Sequence, residues 1–209
     1  MRCIRYALTA ILITLMGTAT VPAQEGAAKA FDKLKKEVEG VAKDAGKYGS
    51  KLNTTMQSLS KVNSSDAKNQ VKTIKSFQKD VKDLNKDLKK TTDGIRNLRK
   101  KREQYFSEWE SSITKISSPD LQKVSEERRQ KVMADHAQLT EKATSLREKI
   151  DGFMKELNDL STFLGNDPTS TAASAAKQMI DKVLADGNSL AQEVQEISSQ
   201  LAAFAKGSS

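Results

Sequence analysis

The stretch Ile74–Ile116, IKSFQKDVKDLNKDLKKTTDGIRNLRKKREQYFSEWESSITKI, decides the fold of this 209-residue chain. Mostly apolar side chains recur in it at steps of three and four residues, and Lys, Asp and Asn occupy the flanking positions. The recurring positions are Ile74, Phe77, Val81, Leu84, Leu88, Thr91, Ile95, Leu98, Arg102, Tyr105, Trp109, Ser112 and Ile116. A 3.5-residue repeat of this length predicts a helix with a coiled-coil seam.

Three further stretches carry the same spacing. The first contains Phe31, Leu34, Val38, Val41, Ala45, Tyr48, Leu52, Thr55, Leu59 and Val62. The third contains Val132, His136, Leu139, Ala143, Leu146, Ile150, Phe153, Leu157, Leu160 and Leu164, and the last contains Ala176, Met179, Val183, Leu190, Val194, Ile197, Leu201 and Phe204. Glycine weakens a helix interior by about 1 kcal/mol relative to alanine, so Gly46 and Gly49 predict a kink in the first helix.

Three polar breaks separate the four helices. Asn63–Asp66 ends the first helix and caps the second. Ser118 is placed to cap a helix that begins at Pro119, and Gly165 is placed as a C-cap before Asn166–Pro168, which is expected to start the last helix. Connections this short make consecutive helices antiparallel neighbours.

When the second and third helices are folded back on each other about Pro119, their seams align without adjustment. The facing positions are Trp109 and Arg128, Tyr105 and Val132, Arg102 and Asp135–His136, Leu98 and Leu139, Leu84 and Phe153, and Ile74 and Leu164. The polar positions of the two seams coincide, and so do the apolar ones. This agreement predicts that the two helices pair along their length.

The sequence therefore predicts an all-α fold, an up-down-up-down four-helix bundle of long antiparallel coiled-coil helices. Residues 24–206 are expected to form a single elongated helical domain, followed by a disordered tail at 207–209. Counted back from their turns, the first and last helices stop short of residues 100–127. That segment is expected to project as a two-helix hairpin tip.

The amino-terminal residues predict export. Arg2 and Arg5 precede the uncharged, mostly apolar run Ala7–Val21, and small residues follow up to Ala23. This arrangement is typical of a cleavable secretory signal at residues 1–23, with an uncleaved membrane anchor as the alternative. Cys3 lies before the apolar run, so it is not placed as the lipidated cysteine of a lipoprotein signal.

Cleavage after Ala23 removes 23 of the 209 residues and leaves 186. The formal net charge falls from +8 to +6, because both removed charges are arginines. The mature chain contains no cysteine, so an exported protein of this sequence depends on its core alone, without disulfides. No transmembrane segment is expected after cleavage, and the location is expected to be periplasmic or secreted.

The inventory of reactive side chains argues against an enzyme. His136 is the single histidine, no glycine loop that could form an oxyanion hole lies near it, and Met133 stands where a zinc helix motif needs glutamate. We therefore expect no catalytic residues, no cofactor and no metal site. His136 opposite Arg102 is interpreted as a polar layer that fixes helix register; a pH-sensitive switch is the alternative.

A binding site is predicted near the hairpin tip. Its candidate residues are Lys100, Lys101, Tyr105, Phe106, Trp109, Arg128 and Arg129. Basic side chains attract anionic partners, and partly exposed aromatic and arginine side chains are typical of binding hot spots. The alternatives are that the charges form only a solvated face and that the aromatic rings only pack the tip. Sequence-specific nucleic-acid binding is not expected, because no reading motif is present.

Several segments resemble a known family. They are Tyr105–Glu110 (YFSEWE), Ile113–Ile116, Ser125–Arg129 (SEERR) and Phe153–Leu164. They are similar to the bacterial exported helical proteins grouped as domain of unknown function 2959, and the similarity runs from about Lys29 to Ala205. The resemblance implies an envelope or periplasmic location and a non-enzymatic role, and it supplies no activity and no site residues.

Together these features predict a non-enzymatic exported coiled-coil scaffold or adaptor. Its expected partner is a protein or an anionic envelope polymer, bound through the basic, aromatic hairpin tip. The alternative is a periplasmic holdase chaperone for unfolded exported proteins. A basic helix lying on an anionic membrane is disfavoured, because the apolar faces are committed to seams. The sequence leaves homo-oligomerisation open.

Overall fold

A computed structural model describes residues 25–206, apart from the side chains of residues 25, 135–143 and 204. The described residues form five helices: α1 Glu25–Ser64, α2 Gln70–Ile113, α3 Pro119–Asn166, α4 Ser170–Ala175 and α5 Lys177–Lys206. They contain no strand, so the all-α prediction is confirmed. The predicted signal peptide (1–23) and tail (207–209) lie outside the described residues, and so do the side chains of Asp135, His136 and Leu139.

The turn between α1 and α2 confirms the predicted first break. The Asp66 carboxylate accepts a hydrogen bond from the Asn69 backbone N–H at 3.0 Å. Gln70, the first residue of α2, is 1% exposed, and its side-chain amide donates to the Val62 carbonyl at 3.1 Å. That carbonyl lies in the last turn of α1, where carbonyl groups lack a partner within the helix. A buried polar side chain therefore satisfies the end of α1.

The turn between α2 and α3 also forms where the sequence predicts it. α3 begins at Pro119, and the Ser118 hydroxyl accepts from the Leu121 backbone N–H at 3.5 Å. Three hydrogen bonds then connect α2 and α3: from Trp109 to Ser125, from Gln78 to the Ser161 carbonyl and from Asn85 to Asn158. The two helices are thus paired in the antiparallel sense, within about two turns of the predicted register.

The third break differs from the prediction. Gly165 lies inside α3 and is not a C-cap, because the helix runs on to Asn166. The next helix begins at Ser170, capped by the Thr169 hydroxyl, which accepts from the Ala172 backbone N–H at 3.2 Å. The predicted last helix is also divided at Ala176 into α4 and α5.

This division changes which residues face the core. Ile180 is fully buried, whereas Met179, a predicted core residue, is 45% exposed. In α2, Ile95 is likewise 43% exposed although the heptad spacing places it on the seam. Neither residue occupies the predicted core position.

The described chain packs as two compact units. Unit 1 comprises residues 25–42, 94–143 and 200–206, and unit 2 comprises residues 43–93 and 144–199. Each of the four long helices contributes to both units, and each unit has its own apolar cluster.

Unit 2 holds the larger core. Its buried cluster takes side chains from every long helix, including Tyr48 in α1, Leu84 in α2, Leu157 in α3 and Val194 in α5. Leu84 and Phe153, a predicted facing pair, both belong to it. The core of a four-helix bundle is therefore confirmed for this unit.

Glycines let the helices of unit 2 approach closely. A Cβ on Gly49 would lie 3.3 Å from Val194 Cγ1, and one on Gly46 would lie 3.1 Å from Ser198 Oγ. α1 runs as one continuous helix through both positions. These glycines serve the contact between α1 and α5.

Unit 1 is held by a smaller, aromatic cluster. Its buried residues are Ala30, Leu34, Val38, Tyr105, Phe106 and Ala205, with Phe31, Leu98, Trp109, Val132 and Leu201 packed against them. The first and last helices thus reach the level of Tyr105. The expectation that the first helix stops short of residue 100 is wrong: Phe31, its first predicted seam position, already packs on Tyr105, because α2 begins only at Gln70 and the fold-back lies further along the chain than Asn63.

Candidate functional site

The predicted binding residues lie in unit 1, on the last turns of α2 and the first turns of α3. The loop 114–118 joins these helices, and the Gln122 side-chain amide closes it by donating to the Ile116 carbonyl at 2.7 Å. The structure therefore brings all seven predicted residues to one end of the hairpin between α2 and α3. Three of them, Tyr105, Phe106 and Arg129, are buried to the same degree, each 8% exposed, and Trp109 is half-buried.

Tyr105 and Phe106 are core residues. Each is 8% exposed, and the Tyr105 ring centroid lies 5.5 Å from that of Phe31 and 5.4 Å from that of Phe106. Burial raises the pKa of the Tyr105 hydroxyl, against the opposing charge of Arg128. The prediction that these rings are partly exposed is wrong; the alternative, that they pack the tip, is confirmed.

Trp109 lies at the edge of the same aromatic cluster and is half-buried. Its ring stacks near Phe106, with centroids 6.5 Å apart and planes 13° apart. Its indole N–H donates to the Ser125 hydroxyl across the hairpin at 3.1 Å. Trp109 thus ties α2 to α3 and keeps part of its surface accessible.

Arg129 is a structural residue and not an accessible cation. It is 8% exposed, and its Nε and Nη2 donate to the two carboxylate oxygens of Glu126, both at 2.9 Å. Nη1 lies 3.6 Å from a Glu110 oxygen on α2. The hydrogen bond with Glu126 raises the pKa of Arg129, and the same bond lowers the pKa of Glu126. A planar guanidinium suits this two-point pairing.

The remaining cations stay at the surface. Lys100 and Arg128 are exposed and Lys101 is half-buried. Lys131, one turn beyond Arg128, is exposed as well. The basic character of this end of unit 1 therefore rests on fewer accessible charges than the sequence predicts, because Arg129 is neutralised.

Two apolar residues that the sequence reasoning missed are exposed near Arg128 on α3. Leu121 is 60% exposed and Val124 is 52% exposed, both in the first two turns of α3. Steps of three and four residues place Leu121, Val124 and Arg128 on one face of the helix. Their signal in the sequence is that Leu121 and Val124 precede the third heptad stretch and belong to no seam.

The described residues contain no group of three His, Cys, Asp or Glu side chains that could hold a metal ion. Within the same residues, no helix combines the length and the apolar character needed to cross a bilayer. The His136 side chain lies outside the described residues. Its interpretation as a polar layer, and the alternative of a pH-sensitive switch, therefore stay predictions.

Comparison with known proteins places the chain in a family without assigning an activity. No curated protein and no solved structure matches it. One family model, described as "Protein of unknown function (DUF2959)", matches residues 23–207. That match spans nearly the whole chain beyond the predicted signal, and the chain belongs to this family of proteins of unknown function.

Proposed function

We propose that the protein is a non-enzymatic exported scaffold or adaptor, and that it binds its partner through the start of α3. The face concerned, called here the hairpin face, consists of Leu121, Val124 and Arg128, with Lys100 and Lys101 of α2 in the same unit. The support for export is the pattern of residues 1–23. The support for binding is the accessible surface of unit 1.

The observation that carries the proposal is the exposure of Leu121 and Val124 beside Arg128. Transfer of apolar surface out of water contributes about 25 cal/mol per Å², so these side chains favour contact with a partner. An apolar centre with arginine at its edge has the composition of protein interfaces. A protein partner with an apolar patch and acidic flanks fits this face.

In-cell photo-crosslinking tests the proposal. A photoreactive residue at Leu121 or Val124 is expected to yield a small number of discrete adducts. Phe163 and Met179 serve as matched controls, because they are exposed apolar residues of unit 2 at 48% and 45%. Equal adducts at all four positions would contradict a binding role for the hairpin face.

The holdase alternative predicts a different result. A holdase suppresses the aggregation of many unrelated unfolded proteins, and its adducts would form a continuum of sizes. An adaptor leaves such aggregation unchanged and yields the same few adducts under all growth conditions. Light scattering of two unrelated denatured proteins, with and without the purified chain, separates the two functions.

A further inference from the structure

A second charged surface lies in unit 2, on the outer side of α2. Six lysines follow one another there at steps of three and four residues: Lys72, Lys75, Lys79, Lys82, Lys86 and Lys89. All six are exposed. We call this surface the lysine row.

The geometry of the helix makes the row straight and regular. Five steps over 17 residues, an average of 3.4, keep the side chains on one side of the helix. A rise of 1.5 Å per residue places successive lysines about 5 Å apart along the axis. The row spans about 26 Å from Lys72 to Lys89 by the same rise. The buried positions Ile74, Phe77, Val81 and Leu84 occupy the opposite side of α2.

Two carboxylates of α2 in this unit, Asp80 and Asp83, reach Lys51 on α1, and Asp83 also pairs with Lys86 of the row. Asp80 accepts from Ser58 and lies 3.3 Å from Lys51 Nζ, both on α1. Asp83 lies 3.7 Å from Lys51 and 3.4 Å from Lys86. Asp87 lines a groove with Lys43 and Lys47 of α1. Among the described residues, Lys86 is the one member of the row with an ion pair within 4 Å.

The surroundings of the row indicate the class of its ligand. Val71, beside the first lysine of the row, is 44% exposed, but no large hydrophobic residue of α2 is exposed between Lys72 and Lys89. Protein interfaces need an apolar centre and are depleted in lysine, and a helix lying on a bilayer needs an apolar face. A linear polyanion needs neither, because its binding is driven by charge neutralisation and counterion release.

We propose that the lysine row binds a linear chain of phosphate groups, which lies along α2 with its anionic oxygens against the lysines of the row. This site lies in unit 2 and is independent of the hairpin face, which lies in unit 1. Substitutions in one set leave the other set intact, so each proposal can fail without the other.

The test uses the full mature chain and inorganic polyphosphate of defined length, with affinity measured by fluorescence anisotropy across a range of salt concentrations. Lys75, Lys79, Lys82 and Lys89 are changed together to Gln. We expect at least a tenfold loss of affinity. The slope of log affinity against log salt should fall by about three, since each neutralised phosphate contributes about 0.7 for a flexible strand.

The matched control changes Lys61, Lys149, Lys155 and Lys177 to Gln. It removes the same four charges from α1, α3 and α5 of the same unit, outside the row. The control should retain most of the affinity. Equal losses in the two variants would overturn the proposal, because net charge alone would then explain the binding.

Three other anionic ligands test whether the row is specific for a chain of phosphate groups. A single-stranded oligonucleotide that binds like polyphosphate, through the same four lysines, would support a general phosphate-chain site. Stronger binding to vesicles containing anionic lipid, or to a helical acidic peptide, would overturn the proposal in favour of a bilayer or a protein partner. Absence of polyphosphate binding at physiological salt would also overturn it. Circular dichroism of both variants verifies that the helices are intact.

Discussion

Unit 2 and unit 1 are assembled from the same four long helices, but their packing differs. The cluster in unit 2 contains 21 buried residues, most of them aliphatic, and the cluster in unit 1 contains six, of which two are aromatic. Glycines permit close helix contacts in both units, at Gly49 in unit 2 and at Gly94 in unit 1. What distinguishes unit 1 is that four aromatic rings pack together in its smaller cluster.

This difference suggests that the two units have different roles: unit 2 stabilises the fold, and unit 1 offers a surface to a partner. Hydrophobic burial is the main favourable contribution to folding, so unit 2 supplies most of the stability. Unit 1 has less core, and it carries Leu121 and Val124, the most exposed large apolar residues of the described chain at 60% and 52%, against 48% for Phe163 in unit 2. A region with few buried contacts opens locally at lower cost, which suits a surface that adapts to a partner.

The largest effect is expected from truncating the core of unit 2. Leu84→Ala and Phe153→Ala should each destabilise the protein by about 2–5 kcal/mol, the usual cost of removing a large buried side chain. Both residues belong to one cluster, so their effects should not add. Urea unfolding of the two single variants and the double variant measures this coupling.

Val38→Ala provides the comparison in unit 1, where Val38 is 4% exposed. The smaller side chain and smaller cluster predict a lower cost. Strict additivity of Leu84→Ala and Phe153→Ala would contradict the pairing of α2 with α3 at these residues. A larger effect of Val38→Ala would contradict the assignment of most of the stability to unit 2.

The next effect sharpens the role of glycine in unit 2. A Cβ on Gly187 would lie 3.0 Å from Phe153 Cζ and closer still to Met56 Sδ, so these side chains must move. Gly187→Ala should destabilise by about 1–3 kcal/mol, the usual cost of overpacking. Thermal melting followed by circular dichroism is the measurement.

Gly152 in α3 is the matched control, because a Cβ there meets no atom within 4 Å. Gly152→Ala should stabilise by up to about 1 kcal/mol through helix propensity alone. Stabilisation by both substitutions would show that close packing at Gly187 is unimportant.

Much of this architecture follows from the heptad spacing. Periodic apolar residues predict which face of a helix is buried, and Leu84, Leu157 and Val194 are buried as their spacing indicates. Spacing does not reveal how near two helices lie. Gly46 and Gly49 therefore looked like weak points, although they permit the close approach of α1 and α5.

The sequence predicted where the candidate site lies, but not which of its side chains are buried or paired. The start of α1 is rich in small residues, and Ala30 gives no strong hydrophobic signal although it is 4% exposed. The cover that Phe31 of α1 provides over Tyr105 was missed because the fold-back was counted from Asn63, whereas α2 begins only at Gln70. The role of Arg129 was missed because SEERR offers arginines and glutamates in several pairings, and only side-chain positions select the pair with Glu126.

A smaller effect concerns the Tyr48 hydroxyl in the core of unit 2. Tyr48 is 1% exposed, and its hydroxyl has no hydrogen-bond partner among the described residues. An unsatisfied buried polar group costs about 1–3 kcal/mol, so Tyr48→Phe should leave stability unchanged or raise it by about 1 kcal/mol. Denaturant unfolding at neutral pH measures this change.

The pH dependence of the same variant adds an independent measurement. Burial, and then the charge of Asp151, raise the pKa of Tyr48 above its ordinary value of 10.0. Above about pH 10 the unfolded chain therefore loses this proton while the folded chain keeps it, and stability falls as pH rises. Tyr48→Phe should show a shallower alkaline decline than the wild type. An equally steep decline would mean that Tyr48 is in contact with water.

The smallest effect on stability is expected from the exposed cations of unit 1. It tests whether Arg129 is structural while the exposed cations are not. Lys100, Lys101 and Arg128 changed together to Gln should shift the melting temperature little, because substitutions of surface residues usually change stability by less than about 0.5 kcal/mol. Arg129→Gln should lower the melting temperature further than those three substitutions combined. It leaves the Glu126 carboxylate without its two-point partner and the Glu110 carboxylate without its neighbouring cation. Arg129→Lys should recover only part of the loss, because an ammonium group cannot occupy both carboxylate oxygens in one plane. Thermal melting of the wild type, the triple variant, Arg129→Gln and Arg129→Lys, at low salt and at 1 M salt, measures these differences. A triple variant with a lower melting temperature than Arg129→Gln would contradict the structural role assigned to Arg129.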